Sequence, residues 1–517
     1  MKIRLLARMH VLLLLLFVHL ALFAQKKVVS GKVTDAKDGS PIPGVTVQPK
    51  GSVNGGTVTG TDGNFTLSVD KNVQTLVFSS VGYGIREAPV GSGSVTIALT
   101  AGIGNLNEIV VIGYGTTRKK DLTGAIATVD EKDFQKGTIT TPEQMIAGKI
   151  PGVSIISNGG QPGAGSTIRI RGGASLNASN NPLIVIDGIA LSNDAVAGAG
   201  NPLSFINAED IESFTVLKDA SAAAIYGTRA SNGVIIITTK KGRAGGLKVS
   251  FNSVNSVGSV TKEVPVLSAA QFSSVVNANG TAAQKAMLGG ATTNWQDQIY
   301  QSAFGTDNNI SIAGGIKKLP YRLSLGYQNQ NGVLKTDNLT KTTLAFSLNP
   351  SLLDNHLKID LSVRGTTETA RFANSGAIGA AVTFDPTQPV YSKSQRFGGY
   401  YEWLDSTAPT GLKNLAGRNP LGLLEQQFDR SHPKRSIGNL QLDYKIHFLP
   451  DLHVKVNAGY DVSQGAGAKF ITDSAASAYI AGGTGGQNNP YKTNITNTVF
   501  EAYLNYVKDF KSIRSHL

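Results

Sequence analysis

The sequence predicts a mixed fold with three successive parts: a small all-β sandwich, an α/β domain, and a long series of antiparallel strands. Three observations carry this prediction. Short strand-forming runs separated by turn residues fill the first part, two helical signals interrupt the strands of the second, and apolar and polar residues alternate along the third. Alternation fits any sheet with one wet face, so periodicity alone does not separate a soluble sandwich from a membrane barrel.

The composition argues against several classes of protein. The 517 residues are 41% hydrophobic, carry a formal net charge of +13 and include no cysteine. The sequence therefore offers neither a disulfide framework nor thiol chemistry. The lysines and arginines are dispersed, and no basic run is combined with aromatic stacking residues, so we expect no nucleic-acid partner.

The N-terminus has the layout of a secretory signal peptide. Basic residues within the first eight positions precede a continuously apolar run at 11–23, which is shorter than the roughly 20 residues that a spanning helix needs. We expect an exported protein with a signal peptide over residues 1–24. The mature chain then starts near Gln25.

Residues 25–100 are predicted to form the β-sandwich, because short strands and turn signals such as Asp62-Gly63-Asn64 follow one another closely. The runs Gly-Lys-Val-Thr-Asp at 31–35, Pro-Gly-Val-Thr-Val at 43–47 and Val-Gly-Tyr at 81–83 resemble a carboxypeptidase-regulatory-like domain. That name implies no catalysis. We expect a spacer or docking module.

A connecting segment at 105–115 separates the first two parts. Its centre, Ile109 to Ile112, is a β-branched run with high strand propensity between glycine-containing stretches. Such a segment can add itself as a strand to the exposed sheet edge of a partner protein. The local sequence is equally compatible with a last strand of the preceding sandwich.

The α/β part covers residues 116–242. A short helix is predicted to begin at Pro142 with Thr141 as its N-cap and to end near Gly148, and a second helix is predicted around 219–226. The predicted strands lie at 153–156, 167–171, 182–188 and 234–239.

Several motifs of the connecting segment and the α/β part resemble SusC-like TonB-dependent outer-membrane transporters. They are the segment 107–125, Ile-Arg-Ile-Arg-Gly at 168–172, Ile-Val-Ile-Asp-Gly at 184–188, the run Ile211 to Ala220 and Ala-Ile-Tyr-Gly-Thr-Arg-Ala at 224–230. The resemblance implies that residues 116–242 are a plug domain and that residues 105–115 are a TonB box.

The same resemblance assigns two sets of site residues. The TonB-binding set is Glu108, Ile109, Val110, Val111, Ile112 and Gly113. The plug-motif set is Arg169, Arg171, Gly172, Asp187, Gly188, Lys218, Asp219, Tyr226 and Gly227.

The third part, residues 246–517, is predicted to supply about eight strands of a transmembrane antiparallel β-barrel. Short links, such as 449–451, alternate with long ones, such as 367–435, and this asymmetry is typical of outer-membrane barrels. Leu361 is then expected to face lipid and Asp360 the lumen or plug. Because plugged transporters use about 22 strands, we expect the sequence to be an N-terminal portion that cannot transport alone.

The resemblance implies energy-coupled import of a large nutrient, a glycan or sometimes a peptide, with the inner-membrane TonB complex and a SusD-like surface lipoprotein as partners. The location implied is the outer membrane of a Gram-negative bacterium, with the N-terminal domain in the periplasm. A signalling receptor and an adhesin are the alternatives. No enzyme motif of the His-Glu-x-x-His, Walker A or Gly-x-Ser-x-Gly type occurs, and the seven histidines are scattered, so we expect neither catalysis, nor a metal, nor a cofactor.

Overall fold

The structure is a computed structural model that describes residues 26–510 and 515–516, with gaps at 37, 51–55, 71, 81–82, 84–85, 91–92, 101–108, 113–114, 119–125, 138, 174–175, 178, 220–223, 317–318 and 480–484. The chain divides into two compact units, and the division lies between residues 109 and 123. The signal peptide predicted at 1–24 lies outside the described residues, as do Glu108 and Gly113 of the predicted TonB box.

The first unit is a two-sheet β-sandwich, as the sequence predicts. Its strands are β1 Lys26–Asp35, β2 Thr46–Pro49, β3 Thr57–Val58, β4 Asn64–Asp70, β5 Thr75–Ser79, β6 Arg86–Pro89 and β7 Val95–Leu99. One sheet has the order β4-β1-β7 and the other β3-β2-β5-β6. Every second residue of β4 is buried, and Phe65 packs edge-on against Phe78 of β5 with ring centroids 5.5 Å apart.

The connecting segment forms a hairpin of its own. Strand β8, Ile109–Ile112, pairs with β9, Gly115–Arg118, in a sheet of two strands. Among the described strands, β8 pairs with β9, and no pairing with a strand of the sandwich is described.

The first part of the second unit contains a five-stranded sheet and a separate hairpin. The strands are β10 Ile126–Asp130, β11 Val153–Ser157, β12 Ser166–Ile170, β13 Leu183–Ile186, β14 Ile189–Ala190, β15 Ile211–Leu217 and β16 Val234–Thr239. The sheet order is β10-β15-β16-β13-β14, and β11 pairs only with β12. Strands β13 and β16 are parallel and almost wholly buried, which explains their unbroken apolar sequences.

The helices described in this part are short 3-10 turns, at Glu131–Asp133, Pro142–Ile146, Pro202–Phe205, Ala208–Asp210 and Ala224–Ala230. The predicted helix at Pro142 is present, but Thr141 makes no side-chain capping bond. Gln144 instead accepts hydrogen bonds from the backbone and hydroxyl of Thr140. Of the helix predicted around 219–226, residues 224–226 begin the 3-10 segment Ala224–Ala230, which is interrupted at Gly227, where φ is 68°.

The remaining strands form a ten-stranded sheet, here called the wall sheet. They are β17 Lys248–Gly258, β18 Ala303–Ile316, β19 Leu319–Asn331, β20 Asn338–Leu348, β21 Ser351–Leu352, β22 Leu357–Phe372, β23 Gln427–Ser431, β24 Lys434–Ile446, β25 Leu449–Ile471 and β26 Gln487–Tyr506. All of its pairings are antiparallel. A final pair, β27 Asp509–Phe510 and β28 Ser515–His516, stands apart.

Two differences from the predicted strands have one cause. Alternation in the sequence predicts one strand over residues 357–366 and another over 452–462. Strand β22 instead continues to Phe372, and β25 begins at Leu449 and continues to Ile471. The added residues are mostly polar or glycine and carry no apolar alternation, so periodicity does not find them. The long link that follows β22 also holds the short strand β23, which the sequence did not predict.

The long links contain helices and pack together into one lobe. The helices are α1 Ala269–Asn279, α2 Ala282–Ala286, α3 Trp295–Ile299, α4 Gly376–Thr383 and α5 Pro420–Glu425. Residues 259–302, 332–337 and 373–426 are called the outer lobe below. A cluster that includes Trp295, Phe384 and Leu424 forms its core, with the Trp295 and Phe384 rings 4.6 Å apart.

The two faces of the wall sheet differ in what they meet. On β22, Ser362 and Glu368 are buried, whereas Val363 is 38% exposed. Asp360 lies on the buried face and makes an ion pair with Lys241, two residues after the end of β16. The position of Asp360 on the inner face, and of Leu361 on the opposite one, therefore agrees with the expected orientation. No helix among the described residues is both long and apolar enough to cross a membrane.

Candidate functional site

The hairpin between β13 and β14 ends in a tight turn at Asp187 and Gly188. Their φ angles of 45° and 93° lie in the left-handed region, which aspartate and glycine tolerate better than most residues. The Asp187 carboxylate accepts hydrogen bonds from the Thr239 backbone N–H at 3.0 Å and hydroxyl at 2.7 Å. The turn is thereby fixed to the end of β16.

The same carboxylate reaches the wall sheet. Arg364 of β22 donates to Asp187 Oδ2 at 2.5 Å, and the exposed fractions of the two side chains are only 12% and 4%. Burial by itself raises the pKa of Asp187, but the charges of Arg364 and Lys241 and the bonds from Thr239 outweigh it, and the pKa is lowered from its ordinary value. The carboxylate is therefore ionised and paired at neutral pH.

The backbone of the turn is held as well. The carbonyl oxygen of Asp187 accepts hydrogen bonds from Asn439 at 2.6 Å and Gln441 at 2.9 Å, both on β24. A Cβ atom added at Gly188 would lie 2.6 Å from the Gln441 amide nitrogen, so glycine allows this close approach. Side chains from two wall strands thus converge on one turn, called the anchored turn below.

A second buried ion pair lies at the start of β15. Asp210 accepts hydrogen bonds from Arg322 and Ser324 of β19, both at 2.9 Å. The exposed fractions of the Arg322 and Asp210 side chains are 10% and 7%. Nearby, Asn207 donates to Asn309 at 2.7 Å and to Thr343 at 3.1 Å. The Asn207 side chain also accepts a hydrogen bond from the Glu209 backbone N–H and so caps the 3-10 helix Ala208–Asp210. It thereby links this helix to strands β18 and β20.

A third contact uses a pair within the wall sheet. Arg435 donates two hydrogen bonds to Asp461, at 2.8 and 2.7 Å, and both side chains are almost fully buried. Asp461 also accepts from the backbone N–H of Ser192 at 3.2 Å. Such buried pairs are strongly destabilising when one partner is removed, because the other charge is left in a low-dielectric environment.

The other predicted plug-motif residues contact groups within the same α/β part of the chain. Arg169 donates to Asn181, Arg171 pairs with Asp219, and Lys218 donates to the Pro151 carbonyl. Gly172 and Gly227 occupy turns with positive φ, and Tyr226 packs on an apolar cluster. Of the predicted set, Asp187 and Gly188 are the members for which wall-sheet contacts are described.

The arginines of these three buried contacts were missed by sequence reasoning. Arg322, Arg364 and Arg435 each occupy a polar position in an alternating strand, where a water-filled lumen predicts the same residue types. A charged residue on the inner face of a strand could have been flagged as a possible plug contact. Its partner could not, because the pairs join residues up to 177 positions apart.

Two cavities lie near the end of β10, at the opposite edge of the five-stranded sheet. A cavity of about 330 Å³ lies between the elements around β10 and strands β17 to β19, and residues such as Phe134, Val254 and Gln328 line it. A neighbouring cavity of about 500 Å³ reaches Lys240, Lys248 and Arg322. Among the described residues, no group of three or more histidine, aspartate or glutamate side chains could hold a metal ion.

The outer lobe contains a titratable group in an unusual environment. Glu402 is buried and accepts a hydrogen bond from the Asn419 backbone N–H at 3.0 Å, while Arg418 lies 3.9 Å away. Burial raises the pKa of Glu402 to about 7, although Asn419 and Arg418 act in the opposite direction. This carboxyl therefore changes charge near neutral pH.

Two family signatures match the chain. Residues 118–234 match the TonB-dependent Receptor Plug Domain family, and residues 29–111 match the CarboxypepD_reg-like domain family. The first match covers strands β10 to β15, the first residue of β16 and the anchored turn. The second covers most of the sandwich and the strand β8.

Two curated relatives are similar to almost the whole chain. The chain is 42% identical over 508 residues to "TonB-dependent receptor SusC" of Bacteroides thetaiotaomicron, which is 95% of this chain and 50% of that protein. It is 33% identical over 497 residues to "TonB-dependent receptor P3" of Formosa agariphila, 94% of this chain and 47% of that protein. The chain thus spans about half the length of these curated relatives.

Solved structures share the fold. The RagAB peptide importer in its open-open state superposes with a TM-score of 0.60 at 21% sequence identity, over 78% of this chain and 47% of that chain. The RagAB peptide transporter gives a TM-score of 0.61 at 20% identity, over 75% and 46%. At this level of identity the likeness concerns the fold, which comprises a plug and antiparallel strands of a barrel.

Proposed function

Since the chain belongs to the SusC-like TonB-dependent receptors, we propose that the full-length protein imports a large nutrient across the outer membrane of a Gram-negative bacterium with energy from TonB. The observation that carries this proposal is the 42% identity to SusC over 95% of the chain. The buried ion pairs between plug and wall sheet support it, because they match the two interacting parts that a plugged importer requires.

The TonB box supplies the coupling in this proposal. TonB pairs with Glu108 to Gly113 and pulls on the residues that lead into the plug. Strand β8, which holds the central four of these residues, belongs to a two-stranded sheet and so has one edge without a partner among the described strands. A strand of TonB can add there through main-chain hydrogen bonds.

The substrate proposed is a glycan, with a peptide as the second candidate. The glycan follows from the resemblance to SusC-like transporters, and the peptide is what the RagAB structures are described as importing. We further propose a SusD-like surface lipoprotein as a partner at the outer lobe. The described strands of the N-terminal sandwich form an all-β unit, so nothing there favours the signalling alternative.

Replacing Val110 by proline tests the coupling. Proline removes a backbone N–H and cannot take part in a strand ladder at that position. Cells that carry the full-length V110P protein and the proposed SusD-like lipoprotein are expected to show at least about tenfold lower uptake of a fluorescent oligosaccharide, with V111T as the strand-compatible control. Surface labelling is expected to show equal amounts of both variants.

Uptake by V110P at the wild-type rate, with the protein correctly inserted, would contradict TonB-driven import through this segment. A panel that pairs each oligosaccharide with a peptide of similar mass decides the substrate class. Uptake of peptides alone would overturn the glycan proposal while leaving the coupling intact.

A further inference from the structure

Asp337 lies where three parts of the second unit meet. It ends the outer link between β19 and β20, only 5% of its surface is exposed, and its backbone N–H donates to the Leu334 carbonyl. Leu334 is buried in the core of the outer lobe. The link that carries Asp337 is therefore packed into the lobe.

The Asp337 carboxylate joins the lobe to the plug. Its Oδ1 accepts a hydrogen bond from the Ala373 backbone N–H at 2.6 Å, at the base of the longest link of the outer lobe. The same oxygen accepts from the Gln161 side chain at 2.9 Å. Gln161 belongs to the plug loop 158–165, which connects β11 to β12. One oxygen atom thus receives a donor from the lobe and a donor from the plug.

The plug loop also lies close to the wall sheet and to the segment at Gly200. A Cβ atom at Gly163 would lie 3.0 Å from Leu339 of β20, which shows how closely the loop approaches the wall sheet. The loop ends at Ser166, whose carbonyl accepts a hydrogen bond from Asn201 at 3.3 Å. A movement of the loop therefore reaches Asn201 through the first residue of β12.

From Asn201 the contacts continue into the plug core. The Asn201 amide donates to Glu143 at 2.6 Å, and its carbonyl oxygen caps the 3-10 helix that begins at Pro202. Glu143 is fully buried, and its second carboxylate oxygen has no hydrogen-bond partner among the described residues. A buried carboxylate is costly to leave without hydrogen-bond donors. The hydrogen bond from the Asn201 amide to Glu143 therefore holds Asn201 in place.

We propose that Asp337 is the joint that couples the outer lobe to the plug, through Gln161 and the loop 158–165 to Asn201 and Glu143. A shift of the lobe that withdraws Asp337 removes the donor–acceptor pair that positions the loop. The purpose of this coupling, to report occupancy of the lobe to the plug, rests on the import function proposed above. The coupling itself does not depend on it.

Hydrogen–deuterium exchange on the full-length protein in detergent tests the joint without substrate or TonB. The variant Gln161→Ala is expected to raise exchange about five- to tenfold both in the plug loop 158–165 and in residues 373–383 of the lobe. The second effect is diagnostic, because Gln161 lies in the plug and no contact between its side chain and those lobe residues is described. Asp337→Ala is expected to have the same effect on both segments.

Two further variants separate coupling from a local loss of packing. Asp337→Asn keeps an acceptor oxygen in place and is expected to restore most of the protection. Asp429→Ala removes a carboxylate near the outer ends of the wall strands that bonds Tyr491, and it is expected to leave both segments unchanged.

Faster exchange confined to the loop in Gln161→Ala, or to the lobe in Asp337→Ala, would overturn the joint and reduce Asp337 to a local contact. The outcome is independent of transport. A protein that fails every uptake assay but shows the paired exchange response keeps the joint and loses the proposed import function.

Discussion

The two edges of the plug sheet are held in different ways. At one edge, the anchored turn at Asp187 and Gly188 receives three wall side chains, from Arg364, Asn439 and Gln441. At the other edge, the elements around β10 border cavities of about 330 and 500 Å³. Around the anchored turn the sheet contacts the wall directly, whereas the other edge, called the loose edge below, lies beside these cavities and contacts the wall at fewer places, such as the pair Asp210–Arg322.

The largest expected effect comes from breaking the anchored turn. Arg364→Ala leaves the Asp187 carboxylate buried without its main cation and is expected to lower the free energy of unfolding by about 3–5 kcal/mol. Chemical denaturation of the full-length protein in detergent measures this loss.

The matched control lies on the loose side. Asn252 of β17 donates to Glu209 at 2.9 Å in an exposed setting, and Asn252→Ala is expected to change stability by no more than about 0.5 kcal/mol. Equal losses for the two variants would abolish the contrast between the edges.

A disulfide across the loose edge sharpens the comparison. Thr128 of β10 and Thr215 of β15 are directly opposite, with their hydroxyl oxygens 3.3 Å apart, and the chain has no cysteine of its own. If β10 must leave β15 during import, Thr128→Cys with Thr215→Cys is expected to reduce uptake at least about tenfold, with full recovery on adding a reductant. A pair at Ile156 and Thr167 in the separate β11–β12 hairpin is the control. Unchanged uptake by the oxidised Thr128/Thr215 variant would place the movement elsewhere.

The smallest expected effect is a difference in pH dependence. The folded-state pKa of Asp187 lies below its ordinary value of 3.8, so its contribution to stability is present above the unfolded pKa and is lost as the pH falls through the folded pKa. Hydrogen exchange is expected to show residues 183–190 losing protection at acid pH before residues 126–130. In Asp187→Asn that order is expected to vanish, and its persistence would mean that another group controls the anchored turn.

Local sequence signals predicted the positions of the strands better than they predicted the contacts between distant residues. Strands β13, β16 and β22 were found because unbroken or alternating apolar runs are local properties. Gly188 was singled out by the resemblance to plug domains, and the structure gives the reason, a turn approached closely by Gln441. The reading of residues 105–115 as a TonB box stays a prediction.

The missed features depend on residues far apart in the chain. Neither Asp210 with Arg322 nor Asp337 with Gln161 can be inferred from neighbours in sequence, since 112 and 176 positions separate the partners. Periodicity gives the face of a strand but not what lies against it. The helices α1 and α4 of the outer lobe were also not predicted, because they are only 11 and 8 residues long and lie in links between strands.

The anchored turn also constrains the order of biogenesis. Asp187 is synthesised 177 residues before Arg364 and 254 residues before Gln441. Contacts of such long range form late, since the intervening chain must first be brought together. Strands β22 and β24 must be paired before Asp187 can bond to Arg364, Asn439 and Gln441. Docking of the plug therefore requires that this part of the sheet is complete. A nascent protein with these strands misregistered would leave Asp187 without its partners on β22 and β24 and the plug undocked.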